Sequence, residues 1–383
     1  MSHRKAVAAS ALLAAALLVP AATPAMAAAP DAGADRAALQ QALDATVAAG
    51  VPGAVAEVRD GRGVWRGSSG TADLASGRAA HAGDRFRAGS VTKTFVATVV
   101  LQLVADGRVK LDDDIERQLP GVVPNGAHIT VRQLLNHTSG LANYTDVLLG
   151  KHDPVRDAQK ATYTPRQLIA LVADIPNRPA PGTTWEYSNT NYVVLGLLVE
   201  HITGQSLAHE IDHRIVRPLH LKATSFPTSP SVPGQHLHGY EWLEGRGTGA
   251  APTDLTEFSP AAYWAAGTLI STTHDLNTFY KALLDGRLLP DRMMKEMRTL
   301  HPMDAKRPNR SYGLGLESNG TTCPSEKPVV GHTGEVVGYQ TFSFTSADGK
   351  RQITLSVNTG LTMTDAEGTA ATKMLSTALC RTA

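Results

Sequence analysis

The sequence is short of cysteine, of aromatic residues and of any excess of charge, and each shortage narrows the field. Only Cys323 and Cys380 occur in 383 residues, too few for a scaffold built from disulfides. Aromatic residues make up 5% and apolar residues 42%, an ordinary globular balance in a chain long enough for its core to divide into two lobes. The formal net charge is +1 with both signs interspersed, which excludes a nucleic-acid footprint and a polybasic membrane patch. Beyond the N-terminal region no long apolar run appears, and neither internal repeats nor coiled-coil heptads are visible.

The N-terminus reads as a secretory signal peptide. His3, Arg4 and Lys5 form a basic start, residues 11–19 are an apolar run too short to cross a bilayer, and Ala25, Met26 and Ala27 form an A-x-A cleavage site. Cleavage after Ala27 is expected, followed by a disordered Ala/Pro/Asp/Gly leader over residues 28–34. No cysteine follows the apolar run, so a lipid anchor is not expected and the product should be exported and soluble. In that compartment the pair Cys323 and Cys380 reads as a disulfide, with two buried thiols as the alternative. Neither cysteine sits in a helix-start or His-flanked context that would activate a thiolate.

The pattern predicts a helix over residues 35–49, with Asp35 as N-cap and Leu39, Leu43 and Val47 on one face. Two strands follow at 53–59 and 63–69, turned by Asp60-Gly61. An apolar stripe from Phe95 to Val104 predicts a helix that opens near Ser90 and stops at Gly107. From 111 to 260 Pro and Gly break the chain into short helical pieces, with one clear helix at 192–201. Strands are then expected at 331–333, 338–346 and 352–358, and a last helix at 365–379. Sheet-forming segments at the two ends, with a helical insert between them, most economically form one antiparallel sheet covered by helices.

Three short motifs carry chemistry. Ser90-Val91-Thr92-Lys93 places a hydroxyl and an amine one helical turn apart, where a desolvated Lys93 near a helix start could act as base for Ser90. Taken alone, Ser90 could equally be an N-cap with Lys93 in solvent. Tyr187-Ser188-Asn189 follows Pro181-Gly182 and precedes an apolar helix, so that a phenol and an amide could project into a cleft, or simply cap the helix. His332-Thr333-Gly334 falls on a predicted strand, where His332 could supply switchable charge beside the phenol and Gly334 could leave room for substrate at the strand edge.

The ordered set of Ser-x-x-Lys, Tyr-x-Asn and His-Thr-Gly resembles the serine β-lactamase and penicillin-binding-protein family. The surrounding residues 86–93, 134–141, 187–192 and 312–316 resemble landmarks of that family as well, and the resemblance runs from about Asp35 to Cys380. It is greatest to the secreted D-alanyl-D-alanine carboxypeptidases, which carry His in the third motif and a similarly placed cysteine pair. The implied fold is α+β and β-lactamase/transpeptidase-like, with an antiparallel five-stranded sheet flanked by helices and a mostly helical second lobe. Residues 35–90 and 265–383 would form the α/β lobe and 91–264 the helical lobe, with the site between them. The implied chemistry is a serine hydrolase needing no cofactor or metal. Ser90 forms an acyl-enzyme, Lys93 and Tyr187 move protons, and the backbone N–H groups of Ser90 and Glu335 hold the oxyanion. Asn189, His332, Thr333, Gly334, Glu335 and Glu317 would contact a peptide or small amide or ester substrate, including peptidoglycan stem peptides and β-lactams. A monomer is expected.

The sequence departs from those carboxypeptidases at two positions. Where they carry an Arg and a Thr that hold the substrate's terminal carboxylate, this chain has Glu317 and Glu335. Like charges ~4 Å apart repel by roughly 4 kcal/mol at an effective dielectric near 20, so two carboxylates would reject a third. A D-aminoacyl amide or ester, or a peptide presenting an amine, becomes the alternative substrate, unless another cation such as Arg310 or Lys327 supplies the anchor. β-Lactamase activity is a further alternative, and so is a penicillin-binding receptor without turnover. A remote alternative is a zinc metallopeptidase, since His209-Glu210-Ile211-Asp212-His213 matches H-E-x-x-H. Against it, Leu207, Ile211 and Ile215 form the apolar stripe of that helix and turn both histidines toward solvent.

Overall fold

The computed structural model describes residues 34–150, 155, 159–176, 179–303 and 309–380. The expected signal peptide and all but the last residue of the expected leader lie outside the described residues.

The first and last helices, Arg36–Ala48 and Asp365–Leu379, have boundaries that their caps explain. Asp35 accepts a hydrogen bond from the Ala37 N–H at the start of the first. Thr364 and Glu367 exchange side-chain-to-backbone bonds in a capping box at the start of the last. Both helices bury one face against the sheet, where Leu39 and Leu43 meet Ile353, Leu355, Met374 and Leu375 in a single apolar cluster.

Among the described residues the sheet has nine strands rather than the five expected. In spatial order they are Arg78–Ala79, Gly63–Asp73, Gly53–Asp60, Gln352–Val357, Tyr339–Thr345, Val329–Val336, Glu317–Asn319, Arg310–Tyr312 and His301–Pro302, all antiparallel to their neighbours. The five central strands match the five periodic segments of the sequence. The four additions are two or three residues long, too short for alternation to register, and they are extended because a neighbour supplies hydrogen-bond partners.

The buried helix Thr92–Ala105 is apolar nearly all round, with Phe95, Val96, Val99, Val100 and Leu103 fully or almost fully enclosed. It packs against the long helix Asn189–Thr203. That helix begins three residues earlier and ends two later than the apolar run predicts, since its first turn holds the polar Asn189 and Asn191. Short helices at Ile115–Gln118, Val131–Leu135, Tyr144–Leu149 and Pro165–Ala170 fill the middle of the chain. Among the described residues no helix is long and apolar enough to cross a membrane.

Cys323 and Cys380 form a disulfide, closing a separation of 57 residues between the sheet region and the end of the last helix. Trp242, Trp264 and Tyr144 do other work than line a cleft. Trp242 stacks under Arg246, Trp264 packs beneath Gly196, and the Tyr144 hydroxyl donates to the Ala262 carbonyl at 2.8 Å.

Candidate active site

Ser90 lies in a 3-10 turn, Gly89–Val91, that runs directly into the helix Thr92–Ala105. Neither of these helix starts is capped by a side chain, so the Ser90 hydroxyl is not spent on the backbone. One turn on, Lys93 points back at it, with Nζ 2.9 Å from Ser90 Oγ. The turn is held against the strand Val329–Val336 by two glycines. Gly89 has φ +54, and a Cβ there would lie 2.7 Å from the Glu335 backbone nitrogen. A Cβ on Gly334 would lie 2.0 Å from the Ala88 carbonyl. Gly334 therefore makes room for the turn that carries Ser90, rather than the room for a substrate at the strand edge expected from the sequence.

Lys93 is fully buried and meets three oxygens: Ser90 Oγ at 2.9 Å, Asn189 Oδ1 at 2.7 Å and the Ala266 carbonyl at 2.7 Å. Burial drives its pKa well below the usual lysine range, with Glu317 acting weakly in the opposite sense. A neutral amine satisfies this geometry. Its two N–H groups go to Asn189 and Ala266, and its lone pair faces Ser90. The Tyr187 hydroxyl also reaches Ser90 Oγ, at 2.8 Å, and Lys93 Nζ lies 4.9 Å from the centre of the Tyr187 ring. Burial raises the Tyr187 pKa well above its normal value, and Glu317 and Glu335 push the same way, so the group is a phenol. Tyr187 donates to Ser90, whose hydroxyl can in turn donate to a neutral Lys93.

Asn189 does not cap the helix it opens, because Ser188 takes that position. Its amide links Lys93 to Thr145, with Nδ2 donating to Thr145 Oγ1 at 3.0 Å.

The third motif divides by strand alternation. Thr333 and Glu335 line a cleft of about 410 Å³ that also contains Ser90, Tyr187 and Asn189. His332, one residue before Thr333, is fully buried. Its Nε2 meets the Tyr312 hydroxyl at 2.8 Å and its Nδ1 meets the Thr333 carbonyl. Burial lowers its pKa. The hydrogen-bond partner of His332 is Tyr312, not Tyr187, and Glu317 Oε1 lies 3.5 Å from its Nδ1 and acts against the effect of burial.

Glu317 and Glu335 both border the cleft, but in different states. Glu317 is 3% exposed and committed: it accepts from Thr333 Oγ1 at 2.6 Å and from Arg310 at 2.9 Å. Glu335 stands exposed at the cleft mouth. Partial desolvation and the neighbouring Glu241 raise its pKa. Arg310 reaches the cleft and its charge is answered by Glu317.

Trp185, Met303 and Gln340 also line the cleft, and sequence reasoning did not single them out. Trp185 lies two residues before Tyr187 in the irregular segment that leads into the helix Asn189–Thr203. Gln340 required knowledge of the register, which sets it opposite Glu335.

The H-E-x-x-H segment lies elsewhere. The rings of His209 and His213 stack at the surface with centroids 5.8 Å apart, while Glu210 turns inward to pair with Arg214 at 2.6 Å. Leu207, Ile211 and Ile215 are the buried face.

Residues 37–377 match the Beta-lactamase family. A D-stereospecific amidohydrolase from Streptomyces sp. superposes with a TM-score of 0.79 at 40% identity, covering 88% of this chain and 98% of that one. The D-amino acid amidase from Ochrobactrum anthropi SV3 superposes with a TM-score of 0.78 at 28% identity over 89% and 97%. Penicillin-binding protein 4 of Amycolatopsis lactamdurans is 29% identical over 63% of this chain, and the match spans 61% of that protein's length. With nearly the whole described chain matched and the Ser-Lys-Tyr constellation assembled on this fold, the protein belongs to the β-lactamase family, with penicillin-binding-protein homologues and D-amino acid amidase structural neighbours.

Proposed function

We propose that this protein is an exported serine hydrolase that cleaves D-amino-acid amides, or short peptides and esters of D-amino acids, whose α-ammonium is free. The cleft would lie between an α/β part (residues 35–90 and 265–383) and a mostly helical part (91–264), and its lining draws on both. Lys93 would take the Ser90 proton as Ser90 Oγ attacks the carbonyl carbon. The backbone N–H groups of Ser90 and Glu335 would hold the oxyanion. The C–N bond breaks as the leaving nitrogen receives a proton relayed by Lys93 and Tyr187, and water then releases the acid from Ser90.

The observation that carries the substrate class is the unequal state of the two glutamates. Glu317 is spent on Arg310 and Thr333, and Glu335 is not, so the charges at that end of the cleft sum to −1. Such a cleft disfavours a substrate's terminal carboxylate and favours an ammonium group. The amidohydrolase and amidase neighbours support the same reading. The carboxypeptidase reading needs a cation free to hold a carboxylate, and Arg310, the guanidinium in the cleft, is paired. The disulfide supports export.

The test is a substrate panel. D-Phenylalanine amide should be cleaved at least about tenfold better, in kcat/KM, than its N-acetyl derivative and than N-acetyl-lysyl-D-alanyl-D-alanine, and Ser90→Ala should abolish all turnover. Preferential cleavage of the D-alanyl-D-alanine peptide would restore the carboxypeptidase reading.

A further inference from the structure

His137 is a buried histidine with φ +61, a left-handed backbone that a bulky residue seldom adopts. It touches the segment carrying Tyr187 on both sides. The Glu186 N–H donates to the His137 carbonyl at 2.8 Å, and the Ser188 N–H donates to His137 Nδ1 at 3.2 Å. Tyr187 lies between these two anchors, and its ring packs on the imidazole with centroids 4.3 Å apart.

The surrounding bonds determine the ring's protonation. Ser139 Oγ donates to Asn191 Oδ1 at 2.6 Å, so the Asn191 amide presents N–H to His137 Nδ1 at 3.1 Å. A backbone N–H can only donate, so Nδ1 accepts from two groups and the proton sits on Nε2. That Nε2 is buried and meets no hydrogen-bond partner among the described residues. The nearby rings are those of Tyr187, Tyr192, Tyr312 and Trp185. A buried donor without a partner and a strained backbone both cost stability, and the same residue carries both.

We infer that His137 is the positioning residue for Tyr187: its carbonyl and Nδ1 clamp residues 186 and 188 so that the phenol between them meets Ser90 Oγ. The inference rests on the proton-relay role proposed for Tyr187. It gives a function to the strained backbone, since the carbonyl and the ring nitrogen of one residue must face the same extended segment. Asn191 and Ser139 complete the clamp by fixing the imidazole tautomer.

The experiment compares leaving groups. An amide nitrogen must be protonated as it departs, whereas p-nitrophenolate leaves without a proton, so the relay matters for the first far more than for the second. The readout is the ratio of kcat/KM for D-phenylalanine amide to that for D-phenylalanine p-nitrophenyl ester, with folding checked by circular dichroism. His137→Gly relieves the left-handed strain and removes the acceptor, and should lower the ratio at least about 30-fold, part of the roughly 100- to 10,000-fold that acid–base catalysis typically contributes. His137→Asn keeps an acceptor near the Nδ1 position and tolerates positive φ, and should stay within about threefold of native. Parallel loss of both activities in His137→Gly would mark a merely structural residue and overturn the inference. If the Gly variant does not fold, a ratio for His137→Asn outside that threefold range overturns it.

Tyr187→Phe separates the two ideas. A native ratio in that variant rejects the relay role of Tyr187, whereas a ratio lost there but kept in His137→Gly rejects only the clamp. Should the native protein cleave no D-amino-acid amide, the substrate reading alone fails. The same ratio is then read from Ser90 acylation by penicillin against p-nitrophenyl acetate.

Discussion

The Tyr187 hydroxyl stands 2.8 Å from Ser90 Oγ although 97 residues separate the two in the chain. Lys93 Nζ reaches the same oxygen at 2.9 Å from a position three residues on. The local contact follows from helix geometry. The distant one requires the strand, the nucleophile turn and the helix Asn189–Thr203 to be docked at once.

Activity should rise with pH along a limb set by Lys93. Burial disfavours its cation, so the base form appears below the ordinary lysine range. Glu317 opposes that shift, so removing its charge lowers the Lys93 pKa further. Glu317→Gln should therefore move the acid limb of kcat/KM to lower pH. An unmoved or upward-shifted limb in the pH–rate profile would show that Lys93 does not set it.

The two glutamates should respond differently to neutralisation. Glu335→Gln should reduce the preference for D-phenylalanine amide over its N-acetyl derivative by about 10- to 100-fold, the scale of one hydrogen bond to a charged group. Glu317→Gln should leave Arg310 unanswered and improve cleavage of carboxylate-terminated peptides by about tenfold. Comparing kcat/KM across three substrates checks both. Equal effects from the two variants would remove the distinction.

Stability should fall as the solution is acidified below about pH 6.5, the ordinary histidine value. Burial lowers the pKa of both His137 and His332, so the unfolded chain takes up protons that the folded chain refuses. More protons bound to the unfolded state means that stability rises with pH through this window and is lost below it. Thermal melts between pH 7.5 and 5 should show a smaller loss for His137→Asn than for the native protein. An identical slope would mean that His137 does not contribute.

Reduction of the disulfide should destabilise the fold without touching the cleft. The closed loop spans a separation of 57 residues, for which a chain-entropy model gives about 4 kcal/mol. Melting with and without dithiothreitol should differ by several degrees, while kcat at low temperature stays within about twofold of native. A melting temperature unchanged by complete reduction would contradict this.

Much of the fold was legible in the chain because long elements repeat their pattern. The strands Gly53–Asp60 and Gln352–Val357 and the helix Asp365–Leu379 each carry enough residues for period or capping to show. The short strands Arg310–Tyr312 and Glu317–Asn319 do not, and they decide where Arg310 and Glu317 meet the cleft. Lone aromatics were equally opaque. Trp185 borders the cleft while Trp242 and Trp264 pack elsewhere, a difference that depends on the neighbours each meets.

By itself the sequence determined that Ser90 and Lys93 can meet, because they are three residues apart and need no other element to do so. It also determined that two carboxylates would stand where the resembling carboxypeptidases hold a substrate's carboxylate. Only the tertiary structure decided that Glu317 is occupied by Arg310 and Thr333 while Glu335 is open, and that His332 bonds to Tyr312 while the ring of His137 lies against Tyr187. A side chain's direction on a strand, and the partner it finds there, depend on register and packing among segments far apart in the chain, which local periodicity does not encode.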